Sequence, residues 1–138
     1  MPKYLLLKHY RGGPELPTPV PPMPEWDPAD IEAHMKFLEH VNDMLKESGE
    51  WVDAQGLSMD QEWIRYGGPG AAPVRSDGPH PETGDLVAGW YAIDVESYDR
   101  AVELAAYVSS EPGPGGKPLY EWIQIRQIME APPSFDSE

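Results

Sequence analysis

The chain has 138 residues, with 24 acidic side chains against 10 lysines and arginines and a net charge of −14. A single domain of this length buries a real core without covalent staples. The lack of cysteine excludes disulfides, a thiolate nucleophile and cysteine-ligated zinc or iron–sulfur centres, and the acidity argues against nucleic acid as a partner.

No apolar run approaches the roughly 20 residues of a membrane span, and Pro2 and Lys3 lead straight into a strand pattern rather than a signal peptide. A cytoplasmic protein is therefore expected. Lys3 to Tyr10 reads as a first strand, apolar on both faces. Gly12 to Pro28 then holds seven prolines in seventeen residues, which predicts an extended, polyproline-like path without regular structure, either a surface loop or a lid or arm. Asp27 can cap a first helix, Pro28 suits its first position, and Asp30 and Glu32 favour the positive end of its dipole. Ile31, His34, Leu38, Val41 and Leu45 recur at helical spacing down to Gly49. His34 falls inside that stripe and His40 on the polar side.

Glu50 to Leu57 reads as the next strand, and Glu62–Tyr66 with Ala72–Ser76 as a hairpin around Gly67-Gly68-Pro69-Gly70. A stiff loop follows. Pro79 fixes its own φ, and Pro81 pushes His80 toward extended geometry, so Asp77 and His80 sit on a backbone with few choices. Leu86 to Val95 is a proline-free run of β-branched, aromatic and small apolar residues, the pattern of a buried strand. Ser97 can cap a second helix with the stripe Tyr98, Ala101, Val102, Ala105 and Val108, which the prolines and glycines of Glu111 to Pro118 end. Leu119 to Ile128 reads as the last strand. This order predicts an α+β domain on the ferredoxin-like split βαβ plan, with an antiparallel sheet and an inserted hairpin. It occupies residues 1–131, with a polar tail at 132–138.

Asp77-Gly78-Pro79 with Glu82-Thr83, followed by Gly89-Trp90-Tyr91-Ala92-Ile93-Asp94-Val95, resembles the DGPF-type branch of the YCII family. The likeness extends to Lys3–Leu7, Gly49–Val52 and Ala101–Ala106, and covers the chain outside Gly12 to Pro24. It departs where His80 replaces the usual phenylalanine and where Gly84-Asp85 replaces the more frequent Lys-Glu. The resemblance implies a bacterial ferredoxin-like protein that dimerises into an α+β barrel. It also implies a His–Asp pair as active site, for which His34 and Asp77 are the nearest matches, with His80 as an added ionisable group.

Strand parity points the same way on assembly. Val87, Gly89, Tyr91, Ile93 and Val95 would lie under the helices, while Leu86, Ala88, Trp90 and Ala92 make the second face apolar too. A sheet wet on one side alternates polar residues there, so a second copy of the chain is expected over that face. Trp90, Trp122, Gln124 and Arg126, with Lys8 and Tyr10, would line an aromatic, cationic cavity for a small molecule, Arg126 gripping an anion. The plain alternative is that the tryptophans fill the dimer core and Arg126 pairs with an interface acid.

His9, His34, His80 and Asp77 are the candidates for proton transfer. No metal or cofactor is expected: the sequence has no His-Glu-x-x-His helix, no Walker loop and no Gly-x-Gly-x-x-Gly after a strand. The function expected from the resemblance is a cofactor-free lyase or proton-transfer enzyme acting on a small anionic or ring-containing compound. The rival is a non-catalytic small-molecule-binding or regulatory module tied to sigma-factor signalling, which the resemblance implies. Asp77 has its own plain alternative as a turn residue that caps its backbone.

Overall fold

Alternation along the first strand sets the two faces of the main sheet. β1 (Lys3–Arg11) buries Tyr4 and Leu6 on one side and half-buries Leu5 and Leu7 on the other, as an extended backbone requires. The computed structural model describes residues 1–11, 13–16, 20–76 and 86–130. After β1 come α1 (Pro28–Ser48), β2 (Trp51–Gly56), a hairpin of β3 (Trp63–Arg65) and β4 (Val74–Ser76), β5 (Leu86–Asp94), α2 (Tyr98–Ser109) and β6 (Gln124–Gln127). The four long-range strands form one sheet in the order β2-β5-β1-β6, antiparallel at every junction, and β3 pairs with β4 in a separate ribbon. Two helices on an antiparallel sheet make the protein α+β, compatible with the ferredoxin-like plan.

The core lies between the helices and one sheet face, where Leu6, Tyr91 and Ile93 meet Val41 and Leu45 of α1 and Leu104 of α2. α1 buries His34, Val41 and Leu45 and leaves Ile31 and Leu38 half-buried. α2 departs from the expected stripe. Leu104 takes the buried place with Ala101, Ala105 and Val108, while Tyr98 and Val102 are exposed, because the core meets the helix about one position round from the predicted face. The ends of the helices follow their punctuation only in part. Ser97 Oγ accepts the Arg100 amide at 3.2 Å, whereas Asp27 holds the N-cap position of α1 through its backbone carbonyl and no side-chain hydrogen bond. Gly49 closes α1 in the left-handed region at φ 83°, where a side chain would be strained. Arg100 grips Glu50 with two 2.9 Å hydrogen bonds and so ties α2 to the start of β2.

Two expectations are corrected here. The proline-rich segment is not wholly irregular: Met23–Glu25 makes one 3₁₀ turn, with the Trp26 amide donating to Met23 at 3.0 Å. The last strand is shorter than Leu119–Ile128. The amides of Leu119 and Tyr120 donate back to Glu111 and Ser109 at the end of α2, and Tyr120 sits at φ 54°. Backbone groups committed to α2 cannot pair with β1, so the strand begins only at Gln124.

β5 approaches β2 closely at Gly89, where a Cβ would stand 2.5 Å from the Gln55 carbonyl oxygen. Beside it the register of β1 against β5 slips: Lys8 faces Gly89 but His9 faces Val87. That irregularity breaks the simple two-residue parity predicted for the strand.

Candidate functional site

Register decides which predicted residues meet. Leu5 lies opposite both Ala92 and Arg126, and Leu7 opposite Trp90 and Gln124, so these share the outer face. Lys8 belongs to the other set. With Tyr4 and Leu6 it points to the helix side of the sheet, away from Arg126. The six-residue face expected from parity therefore divides. Trp90 and Arg126 lie on the outer face, Trp90 also bordering a cavity of about 270 Å³. Lys8, Tyr10 and Trp122 line a second cavity of about 510 Å³, and His34 reaches it from α1. Arg126 does not contribute to either cavity's described lining. Asp77 and His80 lie outside the described residues.

The larger cavity is walled by Pro14, Leu16 and residues 20–24 on one side and by the sheet end on the other. Its apolar lining includes Leu16, Trp26, Met59, Leu119 and Trp122. Gly113 allows this wall to close, since a Cβ there would meet Leu119 at 2.4 Å. The Trp26 ring stands edge-on to His34, with centroids 5.5 Å apart.

Lys8, His34 and Glu121, from three places in the chain, reach the cavity floor, and the buried Glu111 lies against them. Lys8 Nζ donates to Glu111 Oε2 at 2.9 Å and lies 3.5 Å from Glu121 Oε1. His34 Nε2 is 3.8 Å from the same Glu111 oxygen. Glu111 is fully buried, 0 % exposed, and follows directly on the last turn of α2. His34 Nδ1 is 3.0 Å from the Pro112 carbonyl. A carbonyl only accepts, so Nδ1 carries the hydrogen and Nε2 keeps its lone pair.

Burial holds the His34 imidazole below its usual titration range and Lys8 lowers it further, against the Pro112 carbonyl and Glu121, which favour the proton. Burial also pushes the Glu121 carboxyl up to about 8, reinforced by its hydrogen bond and charge interaction with Glu111 and opposed by Lys8 and His34. Burial, then the two carboxyls, raises the Tyr91 phenol well above its ordinary range. Glu111 Oε1 and Glu121 Oε1 are buried with no hydrogen-bond partner among the described residues. Burial thus favours the neutral forms of both the Glu121 carboxyl and the His34 imidazole. Among the described residues, no group of three His, Asp or Glu side chains stands placed to hold a metal ion.

Of the remaining histidines, His9 contacts Gln124 at 3.1 Å and borders the larger cavity, and His40 is exposed against Tyr107. Sequence reasoning missed Glu111, Glu121 and Trp26. A signal for Glu121 was present: counting by twos back from Ile125 and Ile123 puts it on the core side, a carboxyl in an otherwise apolar row. Glu111 had no such signal, since it read as the first residue of a loop. Compared with known protein families the chain matches none, and a comparison with curated proteins likewise finds no match. No helix among the described residues is long and apolar enough to cross a membrane.

Proposed function

We propose that this chain is a proton-transfer enzyme that enolises or isomerises a small ring-containing carbonyl compound held in the 510 Å³ cavity. The observation that carries this reading is that His34 and Glu121 reach one cavity, with Glu111 3.8 Å from His34 Nε2 and Lys8 3.5 Å from Glu121 Oε1, in a setting whose burial favours a neutral imidazole and a neutral carboxyl. His34 Nε2 takes a proton from the carbon next to the carbonyl, and the imidazolium so formed faces the Glu111 carboxylate at 3.8 Å. Glu121 gives its proton to the carbonyl oxygen, and the carboxylate left behind lies 3.5 Å from Lys8. The C–H electron pair becomes the C=C bond of the enol. His34 then returns its proton to the same carbon while the enol hydroxyl gives its proton back to Glu121, or, in an α-hydroxy carbonyl compound, the enediol takes the proton at the neighbouring carbon as its other hydroxyl gives its proton to Glu121. A base held below its usual range beside an acid held above it is the division of labour that acid–base catalysis requires.

Bicyclic 2-tetralone in D₂O tests this by NMR. Its α-hydrogens should exchange at least ~100-fold faster with the protein than in buffer, and Glu121→Gln should remove most of that gain. Binding of the ketone without faster exchange would leave a non-catalytic binding module and sink the enzymatic reading.

The same proposal takes the fold as the ferredoxin-like split βαβ of the DGPF-type YCII proteins, closed into a barrel by a second copy. The apolar outer face of Leu5, Leu7, Trp90 and Ala92 supports it. Light scattering should then report a dimer at micromolar concentration, and a stable monomer would remove the assembly from the proposal.

A further inference from the structure

We infer that the cavity admits uncharged ring compounds bearing a hydrogen-bond donor and rejects their carboxylate analogues, because the lysine and the wall donors among its described lining residues are already committed inside the protein. The inference rests on the reading above only in taking this cavity as the ligand site.

Among the described residues lining the cavity, Lys8 is the only lysine or arginine. It sits between Glu111 at 2.9 Å and Glu121 at 3.5 Å, and its side chain is 14 % exposed. Glu111 is fully buried and cannot turn to water to make room for a second anion. An incoming carboxylate would lose its hydration shell and meet a lysine whose charge is already balanced, with a fixed carboxylate behind it. Arg126, the cation expected from the sequence to hold an anion, is on the opposite face of the sheet.

The polar hydrogens of the wall are occupied as well. Trp26 Nε1 donates to the Pro21 carbonyl at 2.8 Å, Tyr10 Oη to Leu57 at 2.5 Å, and Trp122 Nε1 to Glu15 at 3.5 Å. His34 Nδ1 donates to Pro112 at 3.0 Å. On the floor His34 Nε2 keeps a lone pair, and Glu121, whose burial favours the neutral carboxyl, can donate. An amide or an enolisable carbonyl with a neighbouring hydroxyl matches that pair. A carboxylate, which only accepts and carries charge, does not.

Titration calorimetry with 2-naphthamide and 2-naphthoate, nearly the same shape and different in charge, tests the inference at pH 6.5. The amide should bind at least about tenfold more tightly to the wild type. Glu111→Gln/Glu121→Gln, which leaves Lys8 without its counter-charges, should strengthen naphthoate binding at least about tenfold. If the double variant does not fold, the wild-type ratio decides alone. Naphthoate binding to the wild type as tightly as the amide overturns the inference, and so does a folded double variant that still excludes it. Failure of both probes to bind overturns the inference together with the choice of cavity. Selective amide binding without exchange of 2-tetralone leaves this inference standing and removes the enzymatic reading, whereas rapid exchange with no preference for the amide does the reverse.

Discussion

Lys8→Met should cost about 3–5 kcal/mol at pH 7, a large share of the stability of a domain this size. The loss comes less from the ion pair itself than from what is left behind. Glu111 is 0 % exposed, and its Oε2 takes a 2.9 Å hydrogen bond from Lys8, while Oε1 meets no donor among the described residues. Without Lys8 the carboxylate must either stay charged in an apolar setting or take up a proton. Either choice weakens folding at neutral pH, and the second makes the variant relatively more stable in acid. Adding Glu111→Gln should restore most of the loss, since the pair then becomes a neutral amide beside a thioether. Urea melts of the two variants at pH 5 and pH 7 check this. A single variant within about 1 kcal/mol of the wild type would mean that the buried pair does not organise the site.

Between pH 6.5 and 8.5 the wild type should lose about 2 kcal/mol of stability, and Glu121→Gln should remove that slope. Glu121 is faced by Lys8 from β1, His34 from α1, Glu111 after α2 and, through its phenol, Tyr91 from β5. Its folded-state value of about 8 stands above the usual 4.5, so the folded protein holds a proton that the unfolded chain releases. The stabilisation is complete below the lower value and disappears as pH rises through the upper one. His34 has the opposite sign. Its folded value lies below 6.5, so its contribution is present above 6.5 and is lost as pH falls toward the folded value. The two oppose each other in mild acid, which makes the alkaline side the clean window. Denaturant melts at half-unit steps, with wild type and Glu121→Gln in parallel, give the comparison. A flat or rising wild-type profile over that window is incompatible with a protonated Glu121.

The sequence by itself determined the kinds and order of the elements. Hydrophobic spacing placed α1 and β5, Gly49 marked a helix end, and Ser97 a helix start, because each of these rests on local geometry that neighbours in the chain impose. It also placed His34 on the buried side of its helix. What it could not supply was the company His34 keeps. Glu111, Glu121 and Lys8 come from the end of α2, the segment before β6 and β1, and they meet only because antiparallel register turns Lys8 to the helix side and backbone hydrogen bonds draw Leu119 and Tyr120 back to α2. One residue of register exchanges the faces of a strand, so no count along the chain could tell whether Lys8 would join Arg126 or oppose it. The protonation states followed from that packing. Burial and charge at a few ångströms, set by the tertiary fold, raise the Glu121 carboxyl and lower the His34 imidazole.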